Sequence, residues 1–395
     1  MSTPTASTSP TASTSGATTA AAAVQANLQN RRILLATGTP MRKLLGTYGP
    51  FNVGQTATIK LRNVGVLTGV DLVVQAQVAI TTAATPTPYG PFNFVKAIQY
   101  NDFNNTNRIN ISHRALTVVE SLRTRRLAAR AYLSDLVDSP ATAGAVAPQI
   151  QLPTAVVTPT APNLRIPISL PICYDESSNL KGAVLAQTDR GEQYITVQLP
   201  TAAQVFGSTD DAVYSAGAGS VSNITITAYQ KFIQPQPVQG QLYLPAQDLV
   251  TVYELNGNMV STSDLAVGQG KYVNYPNARQ VLSSSHIYFN GSATPGQGFT
   301  YGQDMGKVEI ELSANTVMSA WNGRDLYDTL RRYFGSDLFP GAMAFDHRRV
   351  PIDTVDFGQV QAKLTPATVN AGAYVESTFE SFYLLGTVLP GIATG

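Results

Sequence analysis

Cysteine is nearly absent from this chain, and its scarcity excludes a good deal. Among 395 residues there is one, Cys173, which rules out an intrachain disulfide and any multi-cysteine metal site. It lies between apolar neighbours in ISLPICYD and reads as a plain buried thiol. Histidine is almost as rare. His113, His286 and His347 stand far apart with no H-x-H or H-E-x-x-H spacing, which disfavours a metal-binding cupin barrel. Charged residues make up 13%, about half of the roughly 25% usual in soluble domains. Much of the surface is therefore Ser, Thr, Asn, Gln, Gly and Ala, which cost little to desolvate against another protein. The net charge of +1 argues against a dedicated nucleic-acid binder, which needs clustered Lys and Arg to neutralise phosphates. No apolar run reaches the roughly 18 residues of a membrane span. The first charges after the start, Arg31 and Arg32, follow the Ala run of MSTPTASTSPTASTSGATTAAAAVQANLQNRR instead of preceding an apolar stretch, so a secretory signal is not expected. The expectation is a protein made and kept in a cytoplasm, or assembled there.

Beyond Pro40 the dominant signal is alternation. In VDLVVQAQVAI, Val70, Leu72, Val74, Val78 and Ile80 share one strand face and Asp71, Gln75 and Gln77 the other. KVEIELS sets Val308, Ile310 and Leu312 against Lys307, Glu309 and Glu311, and ATIKLRN, YITVQL, ITITAYQKF and VESTFESFYLL follow the same logic. These predict half-buried antiparallel strands. The connections are long and rich in turn formers, as in TTAATPTPYGPFN and NGSATPGQGFTYGQD. Short strands with long excursions point to sandwiches or barrels rather than an α/β enzyme. The chain also exceeds what one core usually organises, so two domains are expected.

Two helices interrupt the strands. One is predicted over about Ala115 to Leu133, where apolar residues and Arg mix without a clean stripe. The other follows Gly323, with Leu326, Tyr327, Leu330 and Phe334 at helical spacing, Gly335 as a stop and Arg331 and Arg332 in the last turn. RRLAARAYLSDL and LRRYFGSDL share an Arg pair, aromatics and Ser-Asp-Leu, a spacing that suits two copies of one β domain. QPQPVQGQLYLPAQDL is the natural linker between them.

A convergent reactive set is not visible. There is no G-x-S-x-G elbow, and GQDMGKV lacks the spacing and the Ser or Thr of a phosphate loop, so Lys307 is read as opening the strand KVEIELS. SAGAGS, Ser215 to Ser220, reads as a turn before a strand. The basic runs, RTRR at Arg123 to Arg126, Arg331-Arg332 and DHRR at Asp346 to Arg349, are either contacts to a partner or charges paired with local acids such as Asp328, Asp337 and Asp346.

Several stretches, in order, carry a family resemblance. PYGPFNFVKAIQYNDFNN, SSNLKGAVLAQT, AVYSAGAG leading into ITITAYQKFIQPQPVQGQLYLPAQDLVTVYEL, and RRYFGSDLFPGAMAFDHRRVPIDTVDFGQVQAKLTPATVNAGAYVESTFESFY span about Pro88 to Tyr383. Together they resemble the major capsid proteins of tectiviruses, tailless bacteriophages with a membrane inside an icosahedral shell. GAVLAQT and FPGAMAFDHRRVPI are the most distinctive. The resemblance implies an all-β chain of two eight-stranded antiparallel jelly-roll barrels side by side, with short flanking helices and long loops. It divides the chain into an arm at 1–40, a first jelly-roll at 41–234, a linker at 235–246, a second jelly-roll at 247–387 and a tail at 388–395. It implies a virion capsid protein made in the host cytoplasm and not an enzyme, without cofactor or metal. The implied partners are itself as a homotrimer, neighbouring capsomers, vertex and minor capsid proteins and the internal membrane, with no specific nucleic acid. The candidate interface arginines are Arg125, Arg126, Arg331, Arg332, Arg348 and Arg349. The competing reading is a β-sandwich spike or host-recognition module whose long loops carry a ligand pocket.

The N-terminal segment divides in two. Ser2 to Ser15 has too little hydrophobicity to fold alone. Thr18 to Leu35 has good helix propensity but is near the length at which an isolated helix is marginal, so it is expected to order by docking. Ala22, Val24, Leu28 and Ile33 offer modest apolar contact, and Arg31 and Arg32 are expected near anionic headgroups or an adjacent subunit.

Overall fold

A computed structural model describes residues 15–87, 89–103, 105–124, 152–175, 180–186, 191–207, 212–244, 251–260, 265–291, 306–312, 316–334, 341–354 and 359–384. Alternating residues make strands here because each strand has one face to a shared core. The first eight are β1 (Thr39–Phe51), β2 (Thr56–Lys60), β3 (Val66–Pro86), β4 (Ala97–Asn101), β5 (Asn107–Ile111), β6 (Leu164–Pro171), β7 (Tyr194–Gln198) and β8 (Tyr214–Gln234). They form two sheets, β1-β8-β3-β6 and β2-β7-β4-β5. Val70, Leu72, Val74, Ile224 and Ile226 of one sheet and Ile59, Ile98, Tyr100, Ile195 and Val197 of the other are buried in the same apolar core.

The next eight strands repeat this order. They are β9 (Thr251–Val260), β10 (Lys271–Asn274), β11 (Arg279–Phe289), β12 (Lys307–Leu312), β13 (Thr316–Asn322), β14 (Ala342–Asp346), β15 (Val360–Thr365) and β16 (Tyr374–Leu384). Their sheets run β9-β16-β11-β14 and β10-β15-β12-β13. Each strand of the second unit therefore occupies the place of the strand eight earlier in the first. The two-sheet order, with connections passing from sheet to sheet, is that of a jelly-roll.

The units are jelly-roll sandwiches, one of the two forms that the strand pattern allowed, and their sheets do not close into the barrels that the resemblance implied. The outer edge of β5 pairs in parallel with β9, Leu255 opposite Ile109 and Asn256 opposite Asn110. That edge is thereby committed to the other unit instead of to its own first sheet. One sheet consequently runs across both units, from β14 to β2.

Helices occupy equivalent places. α1 (Ser15–Thr37) precedes β1, α2 (His113–Thr124) follows β5, and α3 (Gly323–Phe334) follows β13. α3 matches the expected helix. α2 begins two residues before the predicted start, and the predicted continuation to Leu133 lies outside the described residues. Two turn-like stretches are strand instead. TTAATP ends β3, and SAGAGS lies inside β8, where Gly217 (φ +110) fits tightly against Ala84. Gly217 relieves a register shift in a long, twisted pair, a role that small residues serve as well as turns.

Candidate functional site: the junction between the units and the N-terminal arm

α2 lacked an apolar stripe because it is buried all round. His113, Arg114, Ala115, Leu116, Thr117, Val118, Val119, Ser121 and Leu122 are all buried, as a helix enclosed on every side must be. It lies on the outer face of the β9-β16-β11-β14 sheet of the second unit. That face carries carboxylates on β16. Arg114 Nε meets Glu376 Oε2 at 2.6 Å, with only 6% and 5% of the two side chains exposed. Glu380, fully buried, accepts from Tyr253 OH at 2.8 Å, Ser283 OH at 2.7 Å and Arg348 Nη2 at 2.5 Å. Arg123 of α2 stands 3.8 Å from the same carboxylate and donates to the carbonyl oxygens of Cys173 and Tyr174, just beyond β6.

This cluster sews the units together. Burial alone would lower Arg123, but Tyr253 and the carboxylates of Glu380 and Glu120 outweigh it and hold the guanidinium charged. Arg348 is held the same way by Glu380 and Asp346. Tyr253 is pushed well up, first by burial and then by Glu380, so it remains a donor. A buried pair of this kind adds little net stability relative to an apolar substitute, but losing one partner is severe. Its effect is to fix one arrangement of the units. His113, at the start of α2, is pushed down to about 3 by burial and stays neutral against Phe92.

Close approach reinforces the junction. Gly182 has φ +83, and a Cβ there would lie 2.5 Å from Tyr253 Cβ. The described part of the run that begins at this glycine, Gly182 to Ala186, also seats α1. Val184–Leu185 bridges to Val66 and Leu67. Leu185 then joins Leu34, Val66, Leu180 and Ile233 in a second apolar cluster, with Leu35, Ala183 and Leu244 against it. Leu34 thus anchors the C-terminal end of α1 on its own subunit, and Asn30 Nδ2 donates to Leu244 O at 3.0 Å. Arg31, expected to face headgroups or a neighbour, is 8% exposed and packed against its own chain. Arg32 is exposed, Leu28 is 47% exposed, and Val24 lies in the helix with its side chain outside the described residues.

Residues 6–235 match the family described as "P3 major capsid protein N-terminal". The chain belongs to the P3 major capsid protein family. It is 27% identical over 375 residues to the major capsid protein P3 of Enterobacteria phage PRD1, covering 91% of each protein. Among solved structures, the STIV MCP is similar in fold, with a TM-score of 0.61, 11% identity and coverage of 88% of this chain and 97% of that one. The PBCV-1 virus capsid gives a TM-score of 0.56 at 10% identity, over 87% and 93% of the two chains. The chain is a structural protein of a virion shell, not an enzyme, and the spike reading gives way to the capsid one.

For a P3-family capsid protein the arginines fall into distinct groups. Arg348 points inward and closes the Glu380 cluster, with Asp346 at 3.6 Å. Arg331, Arg332 and Arg349 are exposed, and Arg125 and Arg126 lie outside the described residues. The distinctive run FPGAMAFDHRRVPI supplies β14 and then this inward arginine. Sequence reasoning missed Arg114, Arg123, Glu376 and Glu380 as a set. VESTFESFYLL looked like a half-exposed strand, yet Glu376, Thr378 and Glu380 are buried under α2. The signal that pointed to them was the stripeless α2, which needs two apolar surroundings at once. KVEIELS departs likewise. Glu309 and Glu311 are 7% and 4% exposed, covered by Lys307 and Lys363 at 2.6 to 3.8 Å. The histidines are less isolated than in sequence, since Phe345 lies between His286 and His347. Among the described residues no group of three or more His, Cys, Asp or Glu is arranged to hold a metal.

Proposed function

We propose that three copies of this chain close into a pseudo-hexagonal capsomer, and that such capsomers tile an icosahedral shell over an internal membrane. The observation that carries this is the strand-for-strand repeat. Two similar units per chain offer six comparable edges around a threefold axis, and head-to-tail contacts close into a ring when the rotation is right. The low charge of the surface suits repeated weak contacts between capsomers. The division into an arm at 1–40, jelly-rolls at 41–234 and 247–387, a linker at 235–246 and a tail at 388–395 belongs to the same proposal. The arm lies beneath the shell, presenting Leu28 and Arg32 to a neighbouring capsomer, a minor or vertex protein, or anionic headgroups. Among the described residues no helix is long and apolar enough to cross a membrane, which fits an arm that lies on a bilayer.

Sedimentation of the purified chain tests the ring. The expected mass at micromolar concentration is three times the 42.0 kDa chain, and a stable monomer contradicts the proposal. Deleting Ser2 to Arg32 tests the arm: trimers should persist while particle assembly fails, and normal infectious particles would refute the role.

A further inference from the structure

The buried titratable groups of this chain are gathered on the second unit and on the helix that covers it. All three histidines are there: His286 on β11, His347 just beyond β14, and His113 at the start of α2, which packs on the second unit. The strands of the first unit carry none. Among the described residues six carboxylates are buried, and five of them, Glu254, Glu309, Glu311, Glu376 and Glu380, belong to the second unit. The first unit has Asp102, paired with Arg108 at 2.6 Å. We infer that mild acid opens the second unit and its seat for α2 while the first unit stays folded, so that the two halves of the chain come apart in a fixed order.

Each imidazole is enclosed so that a second N–H has no acceptor. His286 Nδ1 lies 2.8 Å from Ser377 Oγ, and its ring meets Phe345 and Phe379 edge-on with centroids 6.1 Å away. Its Nε2 is buried without a hydrogen-bond partner in the protein, as are His347 Nε2 and His113 Nδ1. His347 lies parallel to Phe345 at 6.3 Å and meets Tyr275, which follows β10 in the facing sheet, at 6.3 Å. Phe92 stands against His113 with centroids 5.3 Å apart. A neutral imidazole donates from one nitrogen and an imidazolium from both. Here the added donor would carry charge into apolar rings, which is costly.

Neighbouring charges do not offset that cost. His347 opposes a proton on His286. Asp346 favours a proton on His347 and Arg348 opposes it, and burial outweighs both. Burial alone holds His113 down, and the adjacent Arg114 is paired with Glu376 at 2.6 Å. By contrast Val70, Leu72, Val74, Ile224 and Ile226, which fill the first unit, have nothing to protonate. A histidine held below its ordinary value of about 6.5 costs nothing above that pH and favours opening increasingly as the pH drops toward its folded value. With folded values of about 3 to 4, each histidine that opens raises the open-to-closed ratio about eightfold between pH 6 and pH 5. His286 and His347 together raise it about sixtyfold, and release of α2 adds His113.

The test is amide hydrogen exchange of the purified chain at pH 6 and pH 5, resolved by peptide and corrected against the unfolded chain at the same pH. Amides of β11 and β16 should open at least about sixtyfold more at pH 5, while those of β3 and β8 change by less than about twofold. Equal gains in the two units overturn the inference, as does a second unit whose opening ignores pH. Trp321, the one tryptophan, lies on β13 and packs against the core. Its emission should shift to the red between pH 6 and pH 4 while β3 and β8 stay protected; emission that holds constant counts against the inference. Two variants assign the protons. His286→Asn keeps a group within reach of Ser377, and His347→Gln changes the less buried of the two rings. Each should lower the second unit's gain about eightfold, and a folded variant whose gain is undiminished overturns the role of its ring. Each variant is read separately, so if one fails to fold, the other and the contrast between units in the unmodified chain decide.

Discussion

Replacing Glu380 with alanine is the sharpest perturbation of the junction. The carboxylate accepts from Tyr253, Ser283 and Arg348 and lies 3.8 Å from Arg123, which reaches it from the other unit. Removing one partner of a buried pair costs about 3–5 kcal/mol, because the remaining charge is uncompensated. The two hydroxyls left without an acceptor add about 1 kcal/mol each. Two features reduce the total: Asp346 stays 3.6 Å from Arg348, and the arginine side chains retain 12% and 20% exposure, so water can reach them. About 4 kcal/mol is the expected loss. For units of this size that is a fall of roughly 8–16 °C in the unfolding midpoint. The loss should also uncouple the units, because Arg123 loses its hold on the second one, so a single calorimetric transition should split in two. Glu380→Gln, which keeps the shape and one acceptor, should lose about half as much. A Glu380→Ala midpoint within about 2 °C of the parent, with one transition, would refute the reasoning.

Three further outcomes follow from the same geometry. Burial holds His113 and His286 down to about 3 and His347 to about 4, so the unfolded chain binds more protons below the ordinary value of about 6.5. Stability is complete above that pH and falls as the pH drops through the window, by about 2 kcal/mol per histidine at pH 5; denaturant midpoints equal at pH 7.5 and pH 5 would count against this. Gly182→Ala forces a left-handed backbone and a clash with Tyr253, and should destabilise by about 1–3 kcal/mol by chemical denaturation, whereas Gly240→Ala, with nothing near its added Cβ, should cost only the strain of its backbone. Leu34→Ala should release α1 from its apolar seat and speed tryptic cleavage at Arg31 and Arg32 at least tenfold while leaving the trimer intact; an unchanged cleavage rate would mean that Leu34 is not the anchor.

Much of the architecture was legible because period-two alternation is a direct imprint of a half-buried strand. β3 shows it plainly, with Val70, Leu72, Val74, Val78 and Ile80 buried and Asp71, Gln75 and Gln77 half-buried. The duplication was visible only as a short echo around two Arg pairs, and the strand order carries it far more strongly. What the sequence hid was contact between units. Glu376 and Glu380 alternate with apolar residues as solvent-facing residues would, and only the arrival of α2 buries them. Arg348 and Arg349 are adjacent in DHRR, yet one points into the protein and the other to solvent, a distinction set by which face of the turn meets β16. Arg31 likewise differs from Arg32 because the helical turn at Leu34 is the one that docks. Closure was misjudged for a related reason: whether β5 completes its own barrel or pairs with β9 depends on the second unit, and no local pattern records it.

The most direct test of the account is electron microscopy of purified capsomers and of the facets of assembled particles. The account predicts threefold particles with six near-equal lobes, each lobe one jelly-roll, with the two lobes of a chain joined by the β5–β9 pairing. Capsomers with three isolated two-lobed subunits, or with first units meeting first units, would contradict it.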